Sequence, residues 1–197
     1  MTPHSPEKTT DAPADQVGMK CPSCGRGVHL YQIPQNLPLF GDVLLQTLSC
    51  SHCGFKWSDV MSVEVREPAG YEVHVKKESD LDTKLVRNSS GTVEIPELGV
   101  LLEPGPLAEG FLTNLEGLLD RVEGILKIFL RSDDLEQRKA AKERMVELHS
   151  AREGKMPFTV RVLDPYGGSA LIGAHVKRFA LSKKEIDSLK RGVMFTQ

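Results

Sequence analysis

The chain has 197 residues, 40% of them apolar and 26% charged, with a formal charge of −2 and a pI near 6.3. That is the composition of a globular protein, long enough for one ordinary domain or two small ones. It excludes a nucleic-acid binder driven by bulk positive charge, and no apolar run approaches the ~20 residues of a membrane-spanning helix.

Residues 1–18 (MTPHSPEKTTDAPADQVG) are polar, carry prolines and show no periodicity, so a disordered tail without an export signal is expected. The next segment holds every cysteine of the protein. Cys21-Pro22-Ser23-Cys24 and Cys50-Ser51-His52-Cys53 are two Cys-x2-Cys pairs, each followed by glycine, Gly25 and Gly54. In a zinc knuckle the tight turn aims backbone N–H groups at the sulfurs and needs a residue that tolerates positive φ, which glycine does. Four thiolates close the coordination sphere, so one structural Zn2+ per chain is expected, held by Cys21, Cys24, Cys50 and Cys53. Two disulfides would need an oxidising compartment, and a thioredoxin-like motif needs a single pair in a βαβ setting. His29 and His52 lie near the cysteines, but with four thiols at hand His52 reads as a knuckle-tip residue.

Strand patterns flank the pairs at Val28–Ile33, Val43–Ser49 and Phe55–Val60. Residues 19–65 therefore read as a zinc ribbon, too small to fold without its metal. Phe40, Phe55 and Trp57 exceed what so small a module can bury alone. They are the candidate partner-binding surface, or else they pack onto the next domain and set its angle.

Residues 66–180 read as a β domain with a helical insertion at about 113–154. Strand patterns occur at Tyr71–Lys76, Leu85–Arg87, Thr92–Ile95 and Val100–Leu102, before Glu103-Pro104-Gly105-Pro106 stops them. His74 falls on the polar phase of its strand, which marks a solvated face. Thr113-Asn114-Leu115-Glu116 then reads as a capping box. Leu115, Leu118, Leu119, Val122, Ile125, Leu126 and Phe129 follow at helical spacing, and this whole face is expected to be buried. Gly117 and Gly124 in that helix suggest close packing against another backbone. A second helix through Leu135–Arg152, capped by Ser132 or Asp133 and ended by Gly154 and Pro157, completes an antiparallel hairpin. Its balanced charges describe a solvated face. Strand patterns return at Phe158–Leu163 and Ala170–Ile172 around the turn Asp164–Ser169. Residues 181–197 form a short helix and tail, opened by a capping box at Ser182 and Glu185.

Several motifs together carry a resemblance. They are the two Cys-x2-Cys-Gly knuckles with Pro34, Pro38 and Phe40 between them, Gly54-Phe55, Ser89–Leu98 ending in Ile95-Pro96-Glu97-Leu98, Leu115-Glu116-Gly117-Leu118, and Pro157-Phe158-Thr159 followed by Asp164-Pro165-Tyr166-Gly167-Gly168-Ser169. In this order the chain resembles the ZPR-type zinc-finger family from about Cys21 to Ala174, as a single-copy, archaeal-looking member. The resemblance implies a mainly β protein: a four-cysteine zinc ribbon beside a double-stranded β-helix-like domain carrying an α-helical hairpin. It also implies binding or chaperoning of translation elongation factor one-alpha in the cytoplasm.

No phosphate loop, zinc-protease helix or nucleophile elbow is present in the sequence, so no enzymatic activity is expected. Asp164, Ser169 and His175 could be drawn as a triad, but their place in one turn and its exit marks a structural turn. The competing expectation is a nucleic-acid-binding ribbon of the transcription or translation machinery. The sparse basic residues beside the knuckles (Lys20, Arg26 and Lys56) weigh against it.

Overall fold

The computed structural model describes residues 19–38, 41–64, 66–105 and 108–189. The expected tail at 1–18, and Phe40, lie outside the described residues. The ribbon is an antiparallel sheet in the order β1 (His29–Leu37), β2 (Gly41–Ser49) and β3 (Lys56–Ser62). One face buries Leu48 and Trp57 with Val28 and the two buried cysteines, Cys21 and Cys50. The other packs Val43 and Val60 against Val86 and Ala170 of the next domain.

That domain places eight strands in two sheets: β4 (Ala69–Val75), β5 (Lys84–Arg87), β6 (Thr92–Ile95), β7 (Val100–Leu102), β8 (Phe111–Asn114), β9 (Phe158–Asp164), β10 (Ala170–Ile172) and β11 (Lys177–Ala180). The sheet orders are β10-β5-β8 and β11-β4-β9-β6-β7. The two-residue alternation fills the space they enclose: Val73 and Val75, Val93 and Ile95, and Phe158, Val160 and Val162 are all buried in one cluster with Leu85 and Leu171. This is a mainly β, jelly-roll domain with a helical insertion, as the sequence implied. Two strands escaped the sequence reading. β8 coincides with the segment read as a helix cap. β11 pairs with β4 with Phe179 opposite Gly70, where a Cβ would meet the phenyl ring at 2.3 Å.

The hairpin consists of α1 (Leu115–Phe129) and α2 (Leu135–Arg152), joined by Arg152 ion pairs to Asp120 at 2.6 Å and to Glu123 at 3.2 Å. The expected Thr113 capping box is corrected by one residue. Asn114 caps α1, its side chain accepting from Gly117 N–H at 2.9 Å, while Thr113 still belongs to β8 opposite Leu85. The expected close packing of Gly117 and Gly124 on another backbone is not found: a Cβ at Gly117 would meet the Thr113 side chain, with Oγ1 at 2.2 Å, and one at Gly124 would meet nothing. The α1 face is also buried over only half its length. Leu115, Leu118 and Leu119 are in the core, whereas Ile125, Ile128 and Phe129 are 50%, 70% and 44% exposed. A 15-residue helix is about 22 Å long, and its fully buried leucines all lie within its first five residues. The α2 cap is Asp134, one residue beyond the expected pair, and Gly154 ends the helix at φ 68°. α3 (Lys183–Ser188) starts from the expected Ser182–Glu185 capping box.

Candidate metal centre and domain junction

The two knuckles are built alike. Gly25 N–H donates to Cys21 O at 2.8 Å and Gly54 N–H to Cys50 O at 2.9 Å; the glycines stand at φ 71° and 75°. Cys21 N–H reaches Arg26 O, and Cys50 N–H reaches Phe55 O, which closes each loop. The left-handed glycines let the chain fold back so that both sulfurs of a pair point the same way.

All four sulfur atoms lie within 4.8 Å of one another, and Cys21–Cys53 and Cys24–Cys50 are both 3.6 Å apart. A tetrahedral zinc with bonds of about 2.3 Å has sulfur–sulfur edges of about 3.8 Å, so the donor set fits one Zn2+. The N–H groups of Cys53 and His52 pull the Cys50 thiol down to about 7. At Cys24 the Arg26 N–H pulls the same way, but desolvation and the three neighbouring sulfurs outweigh it and push the thiol up to about 12. Four thiolates this close repel one another unless a cation sits between them. His52 is exposed and its Nδ1 lies 2.8 Å from Arg26 Nη1, which ties the two knuckle tips together from outside the sulfur cluster. The metal that Cys21, Cys24, Cys50 and Cys53 hold is structural: no donor position is left for a substrate.

Of the three candidate aromatics, Trp57 is only 8% exposed and belongs to the ribbon core beside Cys21 and Cys50. Its indole N–H donates to Ala108 O at 2.8 Å. Trp57 is therefore an anchor between the two domains, because an indole buried on one side needs its N–H satisfied on the other. Phe55 is half-buried against the same core.

Beside Trp57 lies a junction that the sequence reading missed. Gly110 N–H donates to Ser58 O at 3.0 Å. Asp59, 6% exposed, accepts from Ser89 N–H at 2.9 Å, Ser89 Oγ at 2.7 Å and Val60 N–H at 2.8 Å. A Cβ on Gly110 would fall 2.0 Å from Asp59 Oδ1 and 2.6 Å from Val60 N, so only glycine permits this approach. Beneath it Arg87, 1% exposed, donates to the carbonyls of Gly91, Glu103 and Glu109 and lies over the Phe111 ring. Burial holds Arg87 below its usual range against the pull of Asp59 and Asp164, and burial raises Asp59 despite its hydrogen bonds. An aspartate at a buried strand position, with a lone glycine beyond the proline turn, was the available signal.

Asp164 and Ser169 are fully buried and bonded to each other at 2.6 Å. Ser90 adds a second hydroxyl to Asp164, and Asn88 N–H donates to Ser169. His175 is exposed and joins neither, which makes the Asp164–Ser169 turn a structural fastening. His74 is exposed, with Thr159 Oγ1 at 3.0 Å from its Nδ1.

A closed four-cysteine ribbon fastened to a jelly roll that carries a helical hairpin defines a structural zinc-finger protein. The family model for the ZPR1 zinc-finger domain matches residues 15–67 and that for the ZPR1 jelly-roll domain matches residues 79–187. The chain belongs to the ZPR1 family. It is 44% identical over 178 residues to a ZPR1-like protein of Pyrococcus horikoshii, covering 87% of this chain and 80% of that one. It is 43% identical over 179 residues to a ZPR1-like protein of Methanocaldococcus jannaschii, covering 89% and 90%. The zinc finger chaperone zpr1 of Schizosaccharomyces pombe is 32% identical over 164 residues, 78% of this chain but only 34% of that longer protein.

Proposed function

We propose that this protein is a zinc-dependent protein-interaction module that binds translation elongation factor one-alpha of its own cell, acting as its chaperone or cofactor in the cytoplasm, with no reaction of its own. The observation that carries the reading is family membership over both domains, joined to a relative whose name is that of a zinc finger chaperone. The chemistry is in keeping. The metal is coordinatively closed, and the Ser169–Asp164 pair, which the sequence could draw into a triad with His175, is buried without a histidine. With a net charge of −2, affinity rests on apolar contact and backbone pairing, so moderate salt weakens it only slightly.

The test is calorimetry and co-purification with the factor in its nucleotide-free, GDP and GTP forms and during refolding, with and without zinc. Zinc-dependent binding in at least one condition is expected. No binding in any of them, together with tight salt-sensitive RNA binding, makes the nucleic-acid ribbon the better reading.

A further inference from the structure

The four sulfur ligands are not equally placed. Cys21 and Cys50, the first cysteine of each knuckle, are 2% and 3% exposed and belong to the ribbon core with Val28, Leu48 and Trp57. Cys24 and Cys53, the second of each, are exposed, and so are Ser23, Gly25, His52 and Gly54 beside them. A solute therefore reaches one sulfur of each knuckle and not the other. The approaches of 3.6 Å run across the knuckles, Cys53 to Cys21 and Cys24 to Cys50. Each joins an exposed sulfur to a buried one. Oxidation of cysteine follows thiolate character and access, and metal ligation keeps all four in the thiolate form. Access is thus what separates the four, and each accessible sulfur has an inaccessible one at hand to resolve it.

We propose that the metal centre is a reversible oxidation switch: a hydroperoxide reacts at the exposed sulfurs, and the buried sulfur of the opposite knuckle closes the disulfides Cys21–Cys53 and Cys24–Cys50, with loss of the zinc. The switch belongs to the ligands themselves and does not depend on which partner the protein binds. In the first step the Cys53 thiolate attacks one peroxide oxygen. The O–O bond breaks, hydroxide leaves, and Cys53 becomes a sulfenic acid. The Cys21 thiolate then attacks the Cys53 sulfur, the S–O bond breaks and a second hydroxide leaves, forming the Cys21–Cys53 bond. Two thiolates have given up two electrons to one peroxide. Only Cys24 and Cys50 then remain as donors, too few to hold the ion in a tetrahedral site. The same two steps, starting at exposed Cys24, join it to Cys50. A thiol reductant reverses both bonds and returns the four-sulfur donor set. Cys21 and Cys50 are also ribbon-core residues, so the switch acts directly on the packing around Trp57, the sole tryptophan of the chain.

The probe is hydrogen peroxide, added to the zinc-loaded full chain beside a chromogenic zinc chelator, with Trp57 emission followed in the same sample. The zinc of each chain should be released, and the emission should change in step. Dimedone present during the reaction should trap sulfenic acid on Cys24 or Cys53. The disulfides are read from a non-reduced tryptic digest. Cleavage after Lys20, Arg26 and Lys56 places Cys21 and Cys24 in peptide 21–26, and Cys50 and Cys53 in peptide 27–56. Cross-knuckle bonds leave the two peptides joined, and fragmentation of the joined pair should assign Cys21 to Cys53 and Cys24 to Cys50. Dithiothreitol followed by zinc should restore one zinc per chain and the original emission. Separate peptides, each closed on its own Cys-x2-Cys pair, overturn the proposal, as does the pairing of Cys21 with Cys50. Dimedone on Cys21 or Cys50 in place of the exposed pair overturns the order of events. Full retention of zinc overturns the switch, and so does oxidation to sulfinic acid that dithiothreitol fails to reverse.

Discussion

The ribbon and the jelly roll reach stability by different means. The ribbon core consists of Cys21, Val28, Leu48, Cys50 and Trp57, and two of these five are metal ligands. The jelly-roll core joins sixteen buried residues from five strands, two helices and the turns between them. A sheet of three strands with one thin apolar layer cannot offset the conformational entropy of ordering its chain, so a metal bond replaces the missing core. The jelly roll needs no such staple.

The comparison can be tested at its extremes first. Chelation of zinc, or Cys53→Ser, should unfold the ribbon outright, because metal binding in such sites is worth on the order of 10 kcal/mol of folding free energy. NMR should show loss of the β1–β3 signals while those of β4, β6 and β9 persist. A jelly roll that melts together with the ribbon would erase the distinction. Next, Leu119→Ala should destabilise the jelly roll by roughly 2–5 kcal/mol, because Leu119 is fully buried, and leave one zinc per chain. Ile128→Ala, at a residue 70% exposed on the same helix, should change stability by no more than about 0.5 kcal/mol. Equal effects at the two sites would mean that the distal half of α1 is covered.

Between these lies the junction. Gly110→Ala should cost roughly 1–3 kcal/mol by overpacking against Asp59. Amide exchange at Ser89 should rise while zinc stays bound, which separates loss of the seam from loss of either domain. Asn114→Ala should cost roughly 0.5–2 kcal/mol, whereas Thr113→Ala should leave the α1 cap intact; the opposite order in a urea titration would restore the capping box. The smallest effect is in acid. Burial raises Asp59, so its ionised form weighs against the fold, and that cost sets in as pH climbs from the ordinary value of 3.8 through the raised one. At Glu97 burial acts upward, but the Thr159 N–H and hydroxyl outweigh it and the carboxyl is lowered. Its contribution is present above the ordinary 4.5 and lost as pH falls through the lowered value. Carboxyl-carbon NMR should find Asp59 titrating above 3.8 and Glu97 below 4.5.

What the sequence disclosed follows the range of each interaction. The knuckles are local: ligand, turn and glycine sit within five residues, so Cys21–Gly25 and Cys50–Gly54 were legible down to the sign of φ. The strands β4, β6 and β9 announced themselves by alternation, and the hairpin by a change of period. The Thr113 cap misled because Thr113-x2-Glu116 satisfies the motif while the strand pairing of Thr113 with Leu85 holds it extended for one more residue. The exposure of Ile125 and Phe129 depends on what lies beside the distal turns of α1, which no helical period encodes. Trp57, Asp59 and Gly110 meet their partners across long stretches of chain, and such pairings leave no local pattern. The aromatic count told that Trp57 needed a partner, but not whether the partner was another protein or Ala108.

β3 belongs mechanically to both domains. Along four consecutive residues, Trp57 is tied to Ala108, Ser58 to Gly110, Asp59 to Ser89, and Val60 is packed against Val86 and Ala170. These attachments reach three separate parts of the jelly roll, so together they remove both the swivel about the strand and the hinge across it. The knuckles of one domain and the helical hairpin of the other are thus held at a spacing that the fold sets through β3. Neither can swing relative to the other without breaking the seam at Gly110.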